Sequence, residues 1–279
     1  MDDDFRLPRV LGRTGLTVGR LGLGSSYGAP AAAYERAFAA GCNYFYWGSL
    51  RSAAMGEAIR HLAGQHREKL VVVLQSYSRL GLRLIPRVES GLRQLQLDYA
   101  DILVLGLHNA PPRPAVMEAA LRLQARGRVR HLAVSAHHRP VFQQYASDPR
   151  LAVWMTRYNA AHRGAEREVF PYLPAAASAR PGVVSYTATR WGTLLDPRYT
   201  PAGARTPTAA DCYRFVLSHP AVDVCLTAPA TLEEMTANLA ALAQGPMSDD
   251  ELQWLRAVGD QVHARTARTW RNPLMQRTQ

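Results

Sequence analysis

At 279 residues and 47% hydrophobic content, the chain is long enough for one barrel-sized α/β domain and apolar enough to fill its core. Its net charge of +11 invites a nucleic-acid or anion-binding reading, yet the basic residues spread along the whole chain and cluster tightly only from Arg265 to Arg277, which fits solvated helix faces better than a nucleic-acid surface. No apolar run approaches the roughly 20 residues that span a bilayer, and three scattered cysteines, Cys42, Cys212 and Cys225, argue against a disulfide framework or a zinc site.

In chain order, the start Met1-Asp2-Asp3-Asp4-Phe5-Arg6 lacks a signal-peptide core, so a reducing cytoplasm is expected. Val10-Leu11-Gly12-Arg13-Thr14-Gly15-Leu16-Thr17-Val18 predicts a hairpin with a glycine turn, placed to plug the bottom of a barrel. Short apolar runs then alternate with helical periodicity. The runs fall at residues 20–23, 44–47, 70–75, 102–106, 131–135, 153–157, 183–186 and 222–226, giving eight βα units with parallel strands. Helical periodicity marks 55–62, 85–95, 116–125 and 231–242. Residues 188–206, rich in Pro, Gly and Thr, predict a loop over the mouth; 249–266 predicts an added helix, and the chain from about 266 a frayed, flexible tail. No interior linker divides the chain, so a single (β/α)8 barrel domain over 1–279 is expected, with an N-terminal hairpin and a C-terminal helical extension.

Lys69 is the only lysine. It precedes the run at 70–75, where a strand enters the barrel, whereas barrel chemistry sits where strands leave it. Lysine chemistry at the mouth is thereby excluded.

Several segments carry a family likeness: Leu11-Gly12-Arg13-Thr14-Gly15-Leu16, Gly19-Arg20-Leu21-Gly22-Leu23-Gly24, Ala40-Gly41-Cys42-Asn43-Tyr44-Phe45 and Met55-Gly56-Glu57-Ala58-Ile59. Leu97-Asp98-Tyr99-Ala100-Asp101-Ile102, Tyr158-Asn159, Arg163-Gly164-Ala165-Glu166-Arg167-Glu168 and Ser218-His219-Pro220-Ala221-Val222 continue it. In this order and at these separations, the chain resembles the aldo-keto reductases from about Val10 to Leu242. The resemblance implies hydride transfer from a nicotinamide to a carbonyl. A tyrosine would protonate the nascent alkoxide, tuned by a lysine, an aspartate and a histidine.

Carried over position by position, the aspartate falls on Tyr46, the tyrosine on Arg51, the lysine on Gln75 and the histidine on Gly106, with His108 two residues beyond. Arginine does not donate a proton near neutrality, so the catalytic tetrad is lost and standard carbonyl reduction is not expected. Among the implied cofactor contacts, Ser135 and Tyr186 are kept at the nicotinamide end and Asn238 at the adenine, and Arg190 is a further candidate. Ala136, Met155, Ala228 and Glu234 replace the others, and Glu234 repels a 2′-phosphate. Binding of NADPH or NADH stays open.

The strand ends also offer Trp47, Tyr77, Asn109, His137, His138, Arg157, Tyr158, Asn159, His162, Arg163 and Trp191. Guanidinium forks beside aromatic faces suit a planar or anionic small molecule, and histidines exchange protons near pH 7. Tyr46, Arg51, His108 and His137 are the candidate catalytic residues, with Arg51 an anion anchor unless it turns outward. Structural roles compete: Tyr46 and Trp47 as space fillers, Arg157 and Arg163 as struts to Glu166 and Glu168, and only one of His137 and His138 inward by strand alternation. A metal site from His108, His137 and His162 lacks an acidic ligand, and Ser135 lacks a base that would make it a nucleophile. Three readings follow: a repurposed enzyme with non-standard chemistry on a small anionic or aromatic substrate, an NAD(P)H-dependent oxidoreductase with Tyr46 or His108 as rebuilt donor, and a non-catalytic ligand-binding protein.

Overall fold

The computed structural model describes residues 4–48 and 51–266. An antiparallel hairpin comes first, β1 (Arg9–Val10) and β2 (Thr17–Val18). Eight parallel strands then close into a barrel: β3 (Leu21–Gly24), β4 (Tyr44–Trp47), β5 (Val71–Ser76), β6 (Ala100–Leu105), β7 (Val129–Ser135), β8 (Leu151–Arg157), β9 (Gly182–Tyr186) and β10 (Val224–Thr227), with β10 paired to β3. Each lies on an expected apolar run, displaced by no more than two residues at either end. Around them run α1 (Ala31–Ala39), α2 (Ala53–His66), α3 (Gly81–Leu95), α4 (Pro114–Ala125), the one-turn α5 (Phe142–Tyr145) and α6 (Ala165–Glu168), α7 (Ala209–Leu217) and α8 (Leu232–Gln244), before the terminal α9 (Asp249–Thr266). Four of these, α1, α5, α6 and α7, fall on no expected helical segment. Every residue of α7 from Ala210 to Leu217 is buried, including the polar Asp211 and Arg214.

Alternation along the strands sorts the apolar side chains into two cores. Tyr44, Val71, Val73, Ile102, Val104 and Met155 are among those that fill the barrel, and Leu11 and Val18 of the hairpin close its lower end, as expected. The alternate residues, such as Phe45, Val72, Leu74, Leu103 and Trp154, face the helices. Gly22 makes room for the Tyr44 ring, since a Cβ there would lie 2.9 Å from its Cδ1.

Polar staples tie neighbouring strands where they enter the barrel. Asn43 accepts from the Gly19 N–H (2.9 Å) and donates to the carbonyls of Thr17 (3.0 Å) and Lys69 (2.9 Å). Asp101 accepts from the Val72 N–H (2.9 Å) and from Arg67 (3.0 Å), while Asp223 accepts from the Val183 N–H (2.7 Å) and from Arg180 (2.9 Å). Lys69 itself is exposed. Cys42, Cys212 and Cys225 are buried free thiols. No helix among the described residues is long and apolar enough to cross a membrane.

At the other end of the chain, α9 packs so closely that a Cβ on Gly259 would lie 2.3 Å from the Ala160 carbonyl oxygen. Of the stretch expected to fray, Arg265 and Thr266 belong to α9, and Thr266 is buried and bonded to Arg190 Nη2 (2.6 Å). The rest of that tail lies outside the described residues.

Arg20, buried at 1% exposure, donates to the carbonyls of Asp223 (3.0 Å), Leu217 (3.1 Å) and Val222 (3.2 Å) and stacks on Phe5. A lysine there cannot cap three carbonyls from a planar fork. Arg20→Lys is expected to lower unfolding free energy by about 2–3 kcal/mol, measured by urea titration; an unchanged midpoint would contradict the clamp.

Candidate functional site

The carboxyl ends of the strands open into a cavity of about 750 Å³. Inward positions at the tops of the strands supply Tyr46, Ser135, Met155, Tyr186 and Leu226. The loop expected over the mouth does line it, through Ala188, Thr189, Trp191, Thr193 and Tyr199, with Thr187 just ahead of it. Tyr27, Tyr77, Tyr213 of α7 and Thr266 of α9 complete much of the wall. Six tyrosines thus line the cavity with Trp191 and His137, and among the described residues no Asp, Glu, Lys or Arg does. Backbone strain gathers here: Leu107 (φ 55°), Thr187 (φ 61°), Arg190 (φ 51°) and Trp191 (φ 52°) all hold the left-handed conformation.

Neutral groups stand at positions 46, 75 and 106. The Tyr46 hydroxyl donates to Gln75 Oε1, and Gln75 Nε2 donates to the Gly48 carbonyl (3.0 Å). Burial, then the neighbouring Tyr77 and Tyr44, push the Tyr46 phenol well above its usual pKa, so it stays protonated. Gly106 carries no side chain because Tyr77 lies over it: a Cβ there would meet the Tyr77 ring at 2.6 Å.

Arg51 does not line the cavity. It is exposed with a left-handed backbone (φ 54°), and its stem runs beside Gly28, where a Cβ would lie 3.2 Å from Arg51 Cδ. With no carboxylate nearby in the chain to neutralise it, the guanidinium keeps its hydration by facing solvent. Trp47 also leaves the mouth, since strand alternation turns it to the helix layer, where its indole donates to the Ser52 carbonyl (3.1 Å).

His108 is not in the cavity lining. After the left-handed Leu107 the chain turns it under Arg79, which donates to His108 Nε2 (3.2 Å); burial and that cation lower its pKa to about 4. His137 does line the cavity, its ring 6.3 Å from that of Tyr186, and burial followed by Arg157 lowers its pKa. Both His137 and His138 are exposed, and of the two it is His137 that lines the cavity. His162 receives a hydrogen bond from Arg190, and its pKa falls to about 3 through burial and that charge. Arg190 itself is buried between His162 and Thr266 rather than lining the cavity.

The expected struts pair differently. Arg163 binds Asp260 of α9 (2.7 Å) and Arg157 lies over the Trp191 ring (5.2 Å), while Glu166 takes Arg256 (2.9 Å) and Glu168 takes Arg139. Sequence reasoning missed Tyr27, Tyr199, Tyr213 and Thr266. Tyr199 had a signal, its place in the mouth loop; Tyr213 and Thr266 sit on helices whose approach to the mouth only the tertiary packing sets.

The residues present do not fit NADPH. At the nicotinamide end Tyr186 and Ser135 remain, but Ser135 Oγ already accepts from the Leu107 N–H (2.9 Å), and Ala136 and Met155 offer a carboxamide no polar side chain. At the adenosine end the buried Asn238 turns inward, donating to Thr227 Oγ1 (3.0 Å). Glu234 accepts from the Ala230 N–H (2.7 Å), and Glu233 shares the first turn of α8, so carboxylates stand where a phosphate needs cations.

Two outcomes test this geometry. His108 and His162 hold folded pKa values below the usual 6.5, so their contribution to stability is complete above 6.5 and is lost as pH falls toward 4. Stability measured by urea titration should decline across that window by up to about 1.4 kcal/mol per pH unit for each histidine. The slope, rather than the level, should flatten in His108→Gln/His162→Gln; an identical slope contradicts the assignment. Gly106→His should cost about 1–3 kcal/mol because Tyr77 must leave its seat. Adding Tyr77→Ala should recover most of that loss, and a single variant as stable as the parent would overturn the packing account.

No protein-family model matches this chain, and neither does any curated protein. Solved structures do. The holo form of aldo-keto reductase AKR11C1 from Bacillus halodurans superposes with a TM-score of 0.74 at 18% identity, covering 90% of this chain and 96% of that one. An aldo/keto reductase from Klebsiella pneumoniae, in complex with NADP and acetate, gives a TM-score of 0.74 at 21% identity over 90% of this chain and 95% of the other. The same kind of enzyme from Klebsiella pneumoniae with NADPH gives 0.71 at 22% identity, over 90% and 94%. The chain thus has the barrel fold of the aldo-keto reductases.

Proposed function

We propose that this chain is a divergent member of the aldo-keto reductase superfamily that binds a planar aromatic small molecule at the barrel mouth and exchanges a proton with it, without hydride transfer. The observation that carries this reading is the cavity lining: six tyrosines and Trp191, with no charged side chain among the described residues. Aromatic rings stack edge-to-face or offset against such walls, and the phenol hydroxyls satisfy a ligand's few polar atoms. In the proposed chemistry His137, its pKa lowered by burial and Arg157, accepts a proton from the ligand, and the Tyr46 oxygen, its own proton held by Gln75, accepts a hydrogen bond from a ligand O–H or N–H. Carbonyl reduction loses its usual donor, since Arg51 replaces the tyrosine and lies outside the cavity. The anionic preference expected from the arginines finds no cation in the lining itself, so aromatic character comes first.

The test is binding. Titration with 1-naphthol should quench the fluorescence of Trp191 with a dissociation constant in the micromolar range, and Tyr186→Leu should weaken it about fivefold. NADPH and NADH should show no comparable binding by calorimetry. A micromolar constant for either dinucleotide would instead restore the oxidoreductase reading, with Tyr46 as its donor. Tight naphthol binding with no proton exchange or turnover on any phenol would favour a purely binding role.

A further inference from the structure

The wall of the mouth at Tyr77 has a second side. There Tyr77, Ser78, Arg79, Leu80, Arg83 and Arg87 enclose a cleft of about 440 Å³, and Tyr77 is the residue it shares with the mouth cavity. No Asp or Glu lines this cleft. Arg79 is fixed in place, donating to the carbonyls of Tyr77 (3.2 Å), Gly106 (3.0 Å) and Leu107 (2.8 Å). Arg83 and Arg87 follow one and two turns later along α3, on the same face. Both are exposed, and neither has a hydrogen bond or ion pair among the described residues. Glu89, the one carboxylate on α3, is already held by Arg128 at 2.8 Å.

We infer that this cleft holds the anionic group, a phosphate monoester or an equivalent dianion, of the same aromatic ligand whose ring occupies the mouth cavity. The inference rests on the aromatic reading of that cavity. Two guanidinium groups without acidic partners match a dianion in charge, and their planar forks match its oxygens bidentately. The first turn of α3 carries no acidic residue that would repel it. Tyr77 borders both spaces, so the inferred ligand packs its ring against Tyr77 in the mouth and extends its anionic substituent past that residue toward Arg83 and Arg87. This separates the ligand's two halves, an uncharged lining for the ring and a basic cleft for the anion.

Calorimetry with 1-naphthyl phosphate, 1-naphthol and inorganic phosphate tests it, on the parent and on Arg83→Gln/Arg87→Gln. These side chains are exposed and uncommitted, so the double variant should melt with the parent. The parent should bind the ester about tenfold more tightly than naphthol, inorganic phosphate should compete with the ester alone, and the double variant should lose the tenfold margin while keeping naphthol affinity. Equal ester affinity in parent and variant overturns the cleft. Failure of naphthol to bind the parent refutes the cavity reading, a result readable separately from the first.

Discussion

Guanidinium forks on backbone carbonyls hold this barrel together between its strands. Arg13 reaches the carbonyls of Ala179 and Leu151, Arg20 those of Asp223, Leu217 and Val222, and Arg67 those of Leu70 and Tyr99. Arg214 takes Gly245 and Pro246 while also meeting Glu251, and Arg180 takes Ala221 beside Asp223. Loop carbonyls are orphan acceptors that must be satisfied when buried, and only a rigid fork with five donors caps several at once. A lysine ammonium is a point donor on a flexible stem. One lysine among 33 basic residues, and a charge of +11, are then properties of the scaffold more than of a ligand surface.

The mouth follows the opposite rule. A carboxylate and an ammonium facing each other at positions 46 and 75 would need mutual neutralisation; a phenol and an amide satisfy each other with no net charge to desolvate. Removing the side chain at 106 creates a space that would otherwise lower packing density, and the Tyr77 ring fills it. The top of the barrel at 46, 75 and 106 is thereby filled without a charged side chain. Glu234 at the start of α8 satisfies the Ala230 N–H ahead of that helix (2.7 Å).

How much of this the sequence disclosed depends on where a residue sits relative to a strand. Positions 46, 135, 155 and 186 are inward by a period of two, and the barrel lays them around the mouth as that period requires. Beyond the last ladder bond the period stops. Leu107 adopts a left-handed backbone, so Leu107 faces the cavity and His108 is turned under Arg79, an outcome no alternation rule contains. Arg51 and Arg190 are also loop residues with positive φ, and both lie away from where strand-end reasoning put them. Tyr213 and Thr266 arrive on helices, through packing contacts between elements far apart in the chain.

Arg79 joins these two regimes. Its guanidinium fixes the carbonyls of Tyr77, Gly106 and Leu107, so the tops of β5 and β6 cannot move independently. The same contact buries His108 against a cation and keeps it neutral, which removes a charge from the neighbourhood of the mouth. Tyr77 can lie over Gly106 only while both backbones stay in this register, because the ring and the missing Cβ compete for one space. Residues 77, 79, 106 and 108 therefore behave as a coupled unit, in which substitutions act non-additively. Within the unit a side chain introduced at 106 meets the Tyr77 ring, and the Tyr77 backbone is itself held by Arg79.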